Sequence, residues 1–380
     1  MVRRNVKVDP LRMPETAFRA LARGGGGSQA IKVLRRAQYS KNLLLVHATV
    51  ASARRLNHPD AATATYAYRQ LRRLAEHAPA TARRVICSPV TGLWALRTMQ
   101  DLAGKRPSAD PGGLAALVEQ LARPVTSTAR ICLDADGRRL DMRIVTADVD
   151  GYLVGARSDR DLTRDPARLR LWRARMSAGW GLLARRHGEV ADEVAATMSI
   201  LVPEARTGPG HSSATLRHGF GLLVMSLPED SRSVATTLAH EVQHAKLSVV
   251  MDMFPLVRPG VNDRFYAPWR PDPRPAGALL HGAYAHLGVA GFWRRELRAE
   301  PDGAARAEAE VEFVRWHTAT ARATADLLAT DVLSPIGQRF VGLMNERLDQ
   351  WRTESVTSTS RREAARRGTA HRHLWLSRNS

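Results

Sequence analysis

Cysteine is almost missing from this chain of 380 residues, which has only Cys87 and Cys132. Two residues so far apart cannot make a disulfide framework or a cysteine-rich zinc site, so any metal must be held by nitrogen and oxygen. Lysine is scarce as well: five lysines stand against 52 arginines in a net charge of +20. That bias reads as high-GC codon usage rather than a phosphate-binding face. Aromatic residues are only 6%, too few to interleave with basic clusters as in proteins that stack bases. A nucleic-acid partner is therefore disfavoured, and an acidic peptide or leader matches the charge equally well. No stretch approaches the roughly 20 apolar residues of a membrane span. The N-terminus, Met1-Val2-Arg3-Arg4-Asn5, runs into polar sequence rather than a signal-peptide core, so a cytoplasmic protein is expected. Apolar residues at 44% give ordinary globular composition and exclude wholesale disorder.

Helical periodicity dominates what is present. Residues 13–23 predict a short helix ended by Gly24-Gly25-Gly26-Gly27-Ser28, a flexible break that lacks the Gly-Lys-Ser/Thr ending of a phosphate loop. A long helix follows over 29–57 and another over 61–78. Between 129 and 157 the pattern alternates, with Asp136-Gly137 marking a hairpin turn and Tyr152-Leu153-Val154 a further run. Residues 165–197 return to helix. Met198–Pro203 and Gly221–Leu227 then read as two buried strands around a loop at 207–213, and 274–298, 303–331 and 335–354 read as three helices. The expected class is α+β, mostly α: a zincin-like core with a small sheet beside a metal-binding helix. The expected division is a helical N-terminal region (1–125), a catalytic domain (126–356) and a disordered basic tail (357–380) holding Arg361, Arg362, Arg366, Arg367, Arg372 and Arg378.

The strongest chemical signal is His240-Glu241-Val242-Gln243-His244. On a helix, residues i and i+4 sit one above the other, so both imidazoles can reach one divalent ion while Glu241 lies beside it. The setting suits a helix: Pro228-Glu229-Asp230-Ser231 supplies acidic residues and a capping hydroxyl, and Val234, Leu238, Val242, Ala245 and Val249 form a core-facing stripe flanked by the two histidines. A strand edge bordering such a helix can present an extended peptide by adding it to the sheet.

Two histidines need a third protein ligand for tetrahedral zinc or six-coordinate iron. The metzincin extension fails, because Leu247 and Val250 stand where glycine and histidine are required. Leu279-Leu280-His281-Gly282-Ala283-Tyr284-Ala285-His286 offers the best candidate, His281. His286, five positions on and about 140° round a helix, is the alternative metal ligand. Glu296, Glu310 and Glu312 are carboxylate alternatives, which would complete a two-histidine, one-carboxylate iron triad. Ahead of this segment, Pro268-Trp269-Arg270-Pro271-Asp272-Pro273-Arg274-Pro275 reads as rigid and extended, able to fix Arg270 or Arg274 for two-pronged capture of a carboxylate.

Together, Leu238–Leu247, Pro268–Pro275 and Leu280–His286, with Arg23-Gly24-Gly25-Gly26 and Gln38-Tyr39-Ser40-Lys41 further upstream, resemble the H-E-x-x-H peptide-modification family. Its members are encoded beside, or fused to, radical-SAM enzymes that mature ribosomally made peptides (RiPPs). The resemblance implies a tailoring enzyme acting on a precursor peptide, by Fe(II)- and 2-oxoglutarate-dependent β-hydroxylation of a side chain. His240, His244 and His281 would then bind iron, Arg270 or Arg274 the distal carboxylate of 2-oxoglutarate, and Glu241 would orient the ligands. The alternatives are a zinc peptidase with Glu241 as general base, cleaving a precursor or leader, and a non-catalytic peptide-binding partner. The chain has no Cys-x-x-x-Cys-x-x-Cys motif, so it would act alone or with a separate radical-SAM maturase.

Overall fold

A computed structural model of the protein describes residues 11–122, 130–145, 159, 162–205, 208 and 210–379. In chain order the elements are α1 (Glu15–Ala22), α2 (Gly27–Arg55), α3 (Ala61–His77), α4 (Pro79–Ile86), α5 (Pro89–Ala103), α6 (Gly113–Ala122), β1 (Arg130–Ala135), β2 (Arg138–Ile144), α7 (Pro166–Arg186) and α8 (Gly188–Thr197). They continue with β3 (Ile200–Glu204), β4 (Ser213–Thr215), β5 (Leu222–Ser226), α9 (Ser231–Met253), β6 (Arg264–Phe265), β7 (Arg274–Pro275), α10 (Ala276–Ala299), α11 (Ala304–Leu328), α12 (Pro335–Trp351) and α13 (Ser358–Asn379). The class is α+β and mostly α, with a small mixed sheet. The run Tyr152-Leu153-Val154 lies outside the described residues.

The sheet has the order β1-β2-β3-β5-β4. Its first hairpin turns at Asp136 and Gly137, both left-handed at φ 49° and 69°, the conformation a two-residue type I′ turn requires. The strands β2, β3 and β5 run parallel, while β4 returns antiparallel to β5 along the far edge. Parallel strands are covered on both faces, so their sequences are apolar throughout rather than alternating. Here Leu201, Leu223 and Met225 enter the core formed with α7, α9 and α10. Ile200, Val202, Leu222 and Val224 enter a second core with Trp94, Leu114 and Val85 from α4 to α6. The N-terminal helices thus cover one sheet face, and Phe18, Leu21, Ile31 and Leu34 of α1 and α2 belong to the same core as α9.

Two expectations are corrected. The segment 357–380 is not disordered where it is described: residues 358–379 form α13, with Ser360 and Ala364 buried. Helix is supported there by Arg366 and Arg367, three and four residues after Glu363, each donating to its carboxylate at 2.7 to 2.8 Å, a spacing that places them on one face. The proline-rich stretch 268–275 is not a straight extended rod either. Its C-terminal end folds back to pair antiparallel with the residues ahead of the stretch, Phe265↔Arg274 and Arg264↔Pro275, and Arg270 N donates to Ala267 O at 3.0 Å. Prolines lock φ without fixing the direction of the residues between them.

Candidate metal centre

Helix α9 starts at Asp230, whose carboxylate accepts from Ser233 N at 2.8 Å; the cap is this aspartate and not Ser231. The stripe Val234, Leu238, Val242, Ala245 and Val249 is buried, as its spacing predicts. His240 and His244 stand half-buried at its border. They line a cleft of about 1510 Å³ together with Ser213, Ala214 and Thr215 of β4, Trp269, Arg270, Arg274, His281, His286, Trp316 and His371.

The two rings of the motif converge, with Nε2 of His240 and Nε2 of His244 only 3.1 Å apart. Two nitrogens each about 2.0–2.1 Å from one ion are separated by roughly 3 Å, so this spacing suits a shared cation. Burial pushes the imidazole of His240 down to about 4 and that of His244 to about 3, reinforced by the neighbouring charges of His211 and His240 respectively. Both rings are therefore neutral at physiological pH, the form that ligates metal.

Helix α10 brings its two histidines to opposite ends of this pair. The His281 ring lies 5.8 Å from that of His244, and the His286 ring 5.0 Å from that of His240. Five residues of helix thus separate them across the site, as the helical angle requires. Burial, with Arg217 nearby, lowers His281 to about 4, and its Nε2 is buried without a hydrogen-bond partner. His286 is fixed differently. Its Nδ1 donates to Gly282 O at 2.8 Å, which leaves the lone pair on Nε2, and its ring lies between Trp269 (4.4 Å, 15°) and Trp316 (4.5 Å, 35°). Gly282 permits this: a Cβ there would stand 2.3 Å from Trp269 Nε1. Among the described residues, no three His, Cys, Asp or Glu groups stand close enough to hold one ion together. The nitrogen donors fit a metal at the His240–His244 pair; beyond them His286 is the nearer ring, and His281 offers a buried nitrogen without a partner.

Glu241 is tied down. Its carboxylate is 1% exposed, accepts the Ser213 hydroxyl at 2.7 Å and also accepts the Thr215 hydroxyl. The glutamate thus fastens the edge strand to the helix, while its Oε1 stays 3.9 Å from His240 Nε2. Arg270 and Arg274 both line the cleft but share one carboxylate, Asp272, at 3.4 and 2.9 Å. Of the carboxylate alternatives, Glu296 is bound to His187, Arg186 and Arg232, and Glu310 accepts from Thr357. Glu312 does line the cleft, paired with Arg315 and Arg367.

The helix is held from behind by a buried contact the sequence did not advertise. Lys246 Nζ donates to Glu193 Oε2 at 2.7 Å and to the carbonyls of Gly24 and Gly25 at 3.0 and 3.1 Å. Gln243 Nε2 donates to the same Gly24 carbonyl at 3.0 Å, and Gly27 N to Glu193 Oε1 at 2.9 Å. The glycine loop is a docking point for α9. No signal short of contact information would have found this, nor the Ser213 and Thr215 hydroxyls or the tryptophan pair around His286.

No protein-family model matches this chain, and no curated protein is significantly similar to it.

Proposed function

We propose that this protein is a metal-dependent tailoring enzyme of ribosomally synthesised peptides, a dioxygenase that uses Fe(II) and 2-oxoglutarate to β-hydroxylate a side chain of a precursor peptide. The observation that carries the reading is the 3.1 Å approach of two neutral imidazole nitrogens at the floor of a cleft bordered by an edge strand. The resemblance in the motif, the proline-rich segment and the α10 histidines supplies the peptide context. A zincin-like core agrees with an antiparallel edge strand lying against the motif helix.

When bound, Fe(II) and 2-oxoglutarate would activate dioxygen to oxidise an unactivated C–H bond, one oxygen atom going to the peptide and the other to succinate formed with loss of CO2. His240 and His244 would hold the metal, and His281, with its unpartnered Nε2, would have to move toward the pair to serve as the third ligand. Arg270 or Arg274 would receive the distal carboxylate of 2-oxoglutarate through guanidinium N–H groups not spent on Asp272. Glu241 favours this chemistry over hydrolysis. A peptidase needs its glutamate to take a proton from metal-bound water, whereas here both carboxylate oxygens already accept hydroxyls from β4. Its work is to set the distance between the peptide-presenting strand and the metal.

The test incubates the purified protein with a candidate precursor peptide, Fe(II), 2-oxoglutarate and oxygen, and reads the peptide by mass spectrometry. The expected product is heavier by about 16 mass units, is lost in His240→Ala and His244→Ala, and persists within about tenfold in Glu241→Gln, which keeps the shape of the tie. A peptide cleaved anaerobically with zinc, abolished in Glu241→Gln by the ~10²–10⁴-fold expected of a lost general base, would establish the peptidase instead. An unchanged peptide that nevertheless binds would leave only the non-catalytic partner.

A further inference from the structure

The cleft runs past the histidine pair in both directions, because α10 lies antiparallel to α9 along it. Arg232 sits over the Trp293 ring at one end, 5.8 Å from its centre. The middle is the meeting of His240 with His286 and of His244 with His281. At the far end a Cβ on Gly277 would come within 3.9 Å of Met251 Cε. Strand β4 follows the course of α9: His211 Nε2 meets Thr237 Oγ1 at 3.0 Å, Ser213 and Thr215 hold Glu241, and Arg217, two residues or about 7 Å past Thr215, lies where its charge bears on His281. Five arginines line the cleft. Four are paired with acids of the fold: Arg232 with Glu296, Glu300 and Glu308, Arg270 and Arg274 with Asp272, and Arg315 with Glu312. Among the described residues, the exposed Arg217 makes no ion pair. Its backbone is nonetheless fixed. Gly219 N donates to Leu216 O at 2.9 Å, closing a turn around Arg217 and His218. Lys41 Nζ donates to His218 Nδ1 at 3.1 Å and to Asp252 at 2.6 Å, where Gln38 also donates at 3.2 Å. His218 O packs so closely on α5 that a Cβ on Gly92 would stand 2.9 Å from it. Gln38 and Lys41 of α2 thus clamp this turn to the C-terminal end of α9.

We propose that Arg217 is a specificity residue, which receives the carboxylate of an aspartate or glutamate in the peptide that pairs with β4. The inference rests on the proposed function for its peptide and names a feature of that substrate: an acidic residue close to the segment presented to the metal. A guanidinium offers a planar fork that matches one carboxylate in a two-pronged manner, and a cleft concentrates the attraction of an unpaired charge. The carboxylate belongs to the peptide rather than to a small co-substrate because Arg217 continues the strand along which the peptide lies, whereas Arg270 and Arg274 belong to the segment that leads into α10. A nucleic-acid strand fits less well, since it needs several unpaired cations in a row. The clamp on the turn is what makes the residue selective. A mobile arginine could follow a carboxylate in any register, while a fixed one accepts it at one position along the strand.

The experiment passes capped peptide libraries of about ten residues, the extended length that matches α9, over the immobilised, metal-free full chain and reads the retained fraction by mass spectrometry. Each library fixes its central residue as Asp, Asn or Lys among random uncharged positions. The native protein should retain Asp over Asn by about fivefold or more, the effect of one partly exposed ion pair. Arg217→Gln should lower that ratio to about twofold or less, and Arg217→Glu should turn the preference toward Lys. Arg54→Glu, the same charge change on an exposed position of α2, should leave it in place. Circular dichroism and thermal unfolding verify that each variant folds. Absence of an Asp preference in the native protein, a ratio that Arg217→Gln does not lower, or an equal loss in Arg54→Glu would overturn the proposal. So would weaker binding of 2-oxoglutarate to the cobalt(II)-loaded Arg217→Gln protein, which would give the residue to the co-substrate. Retention needs neither metal nor turnover, so an intact Asp preference beside a failed hydroxylation sinks the catalytic reading alone, and hydroxylation without the preference sinks this proposal alone.

Discussion

Replacing Lys246 with Met tests how the motif helix is held. In the native protein the ammonium is fully buried, 2.7 Å from Glu193 and close to two carbonyl oxygens of the glycine loop. The variant keeps the apolar stem but leaves Glu193, 1% exposed, with Gly27 N–H as its remaining partner. Removing one member of a buried ion pair costs about 3–5 kcal/mol, because the other charge stays desolvated and uncompensated. That is a large part of the roughly 5–15 kcal/mol by which a domain is stable. Adding Glu193→Met removes the stranded charge, and a buried pair replaced by apolar groups is near neutral. The double variant should therefore recover all but about 1–2 kcal/mol, the remainder coming from the unmet Gly25 and Gly27 backbone groups, since Gly24 O keeps its bond from Gln243 Nε2. Urea unfolding of the native protein, both single variants and the double, with slopes compared as well as midpoints, gives the coupling directly. Losses that simply add, or a Lys246→Met cost below about 1 kcal/mol, would show that the pair does not hold the helix to the loop.

Other outcomes follow from the cleft itself. Gly282→Ala should cost about 1–3 kcal/mol, since its Cβ would fall within 2.6 Å of three Trp269 atoms; near-ultraviolet circular dichroism should change with it, and combining it with Trp269→Phe should cost less than the sum of the two. An additive result would mean that the indole does not occupy that space. Because burial lowers His240, His244 and His281 to about 4, 3 and 4 from 6.5, the unfolded chain takes up protons in that window that the folded chain refuses. The stability contributed by these neutral rings is full above pH 6.5 and is lost as the pH falls toward 4. Cobalt(II) affinity should accordingly stay nearly constant from about pH 7 to about pH 5, where exposed histidines would already be protonated; a tenfold fall in that range would contradict neutral buried rings.

What was legible in the sequence is what repeats at short range. The period of α9 put Val234 to Val249 inward and both motif histidines at the border, and two-residue alternation located β1, β2 and their turn. The apolar runs at 198–203 and 221–227 were strands because parallel strands covered on both faces have no polar side to display. Illegible were the features made by distant residues. The packing of the N-terminal helices is one such feature: they bury apolar residues on the sheet as well as on one another. The tail was misjudged because composition registers arginine but not that Tyr266 and Pro271 wait to receive His371, Trp375 and Asn379. Arg270 and Arg274 are legible as guanidinium forks in a proline-rich frame, but spacing does not tell that Asp272 between them binds both.

The same distinction bears on how the five-residue motif is understood. Its spacing dictates only that His240 and His244 share a helix face and that Glu241, one position on, points about 100° away. What Glu241 does is decided by whatever lies in that direction. Here it is an edge strand whose residues 213 and 215, two apart and so on one side of the strand, both present hydroxyls to the carboxylate. A strand held in that way has its position relative to the histidine pair set by the Glu241 side chain, so under the proposed function a peptide that paired with the strand would arrive at a fixed distance from the metal. An oxygenase that must select one C–H bond needs that fixed distance, and it has no need for a mobile base. The residues facing Glu241, serine and threonine rather than open solvent, are therefore the ground on which we propose an oxygenase rather than a peptidase for this H-E-x-x-H helix.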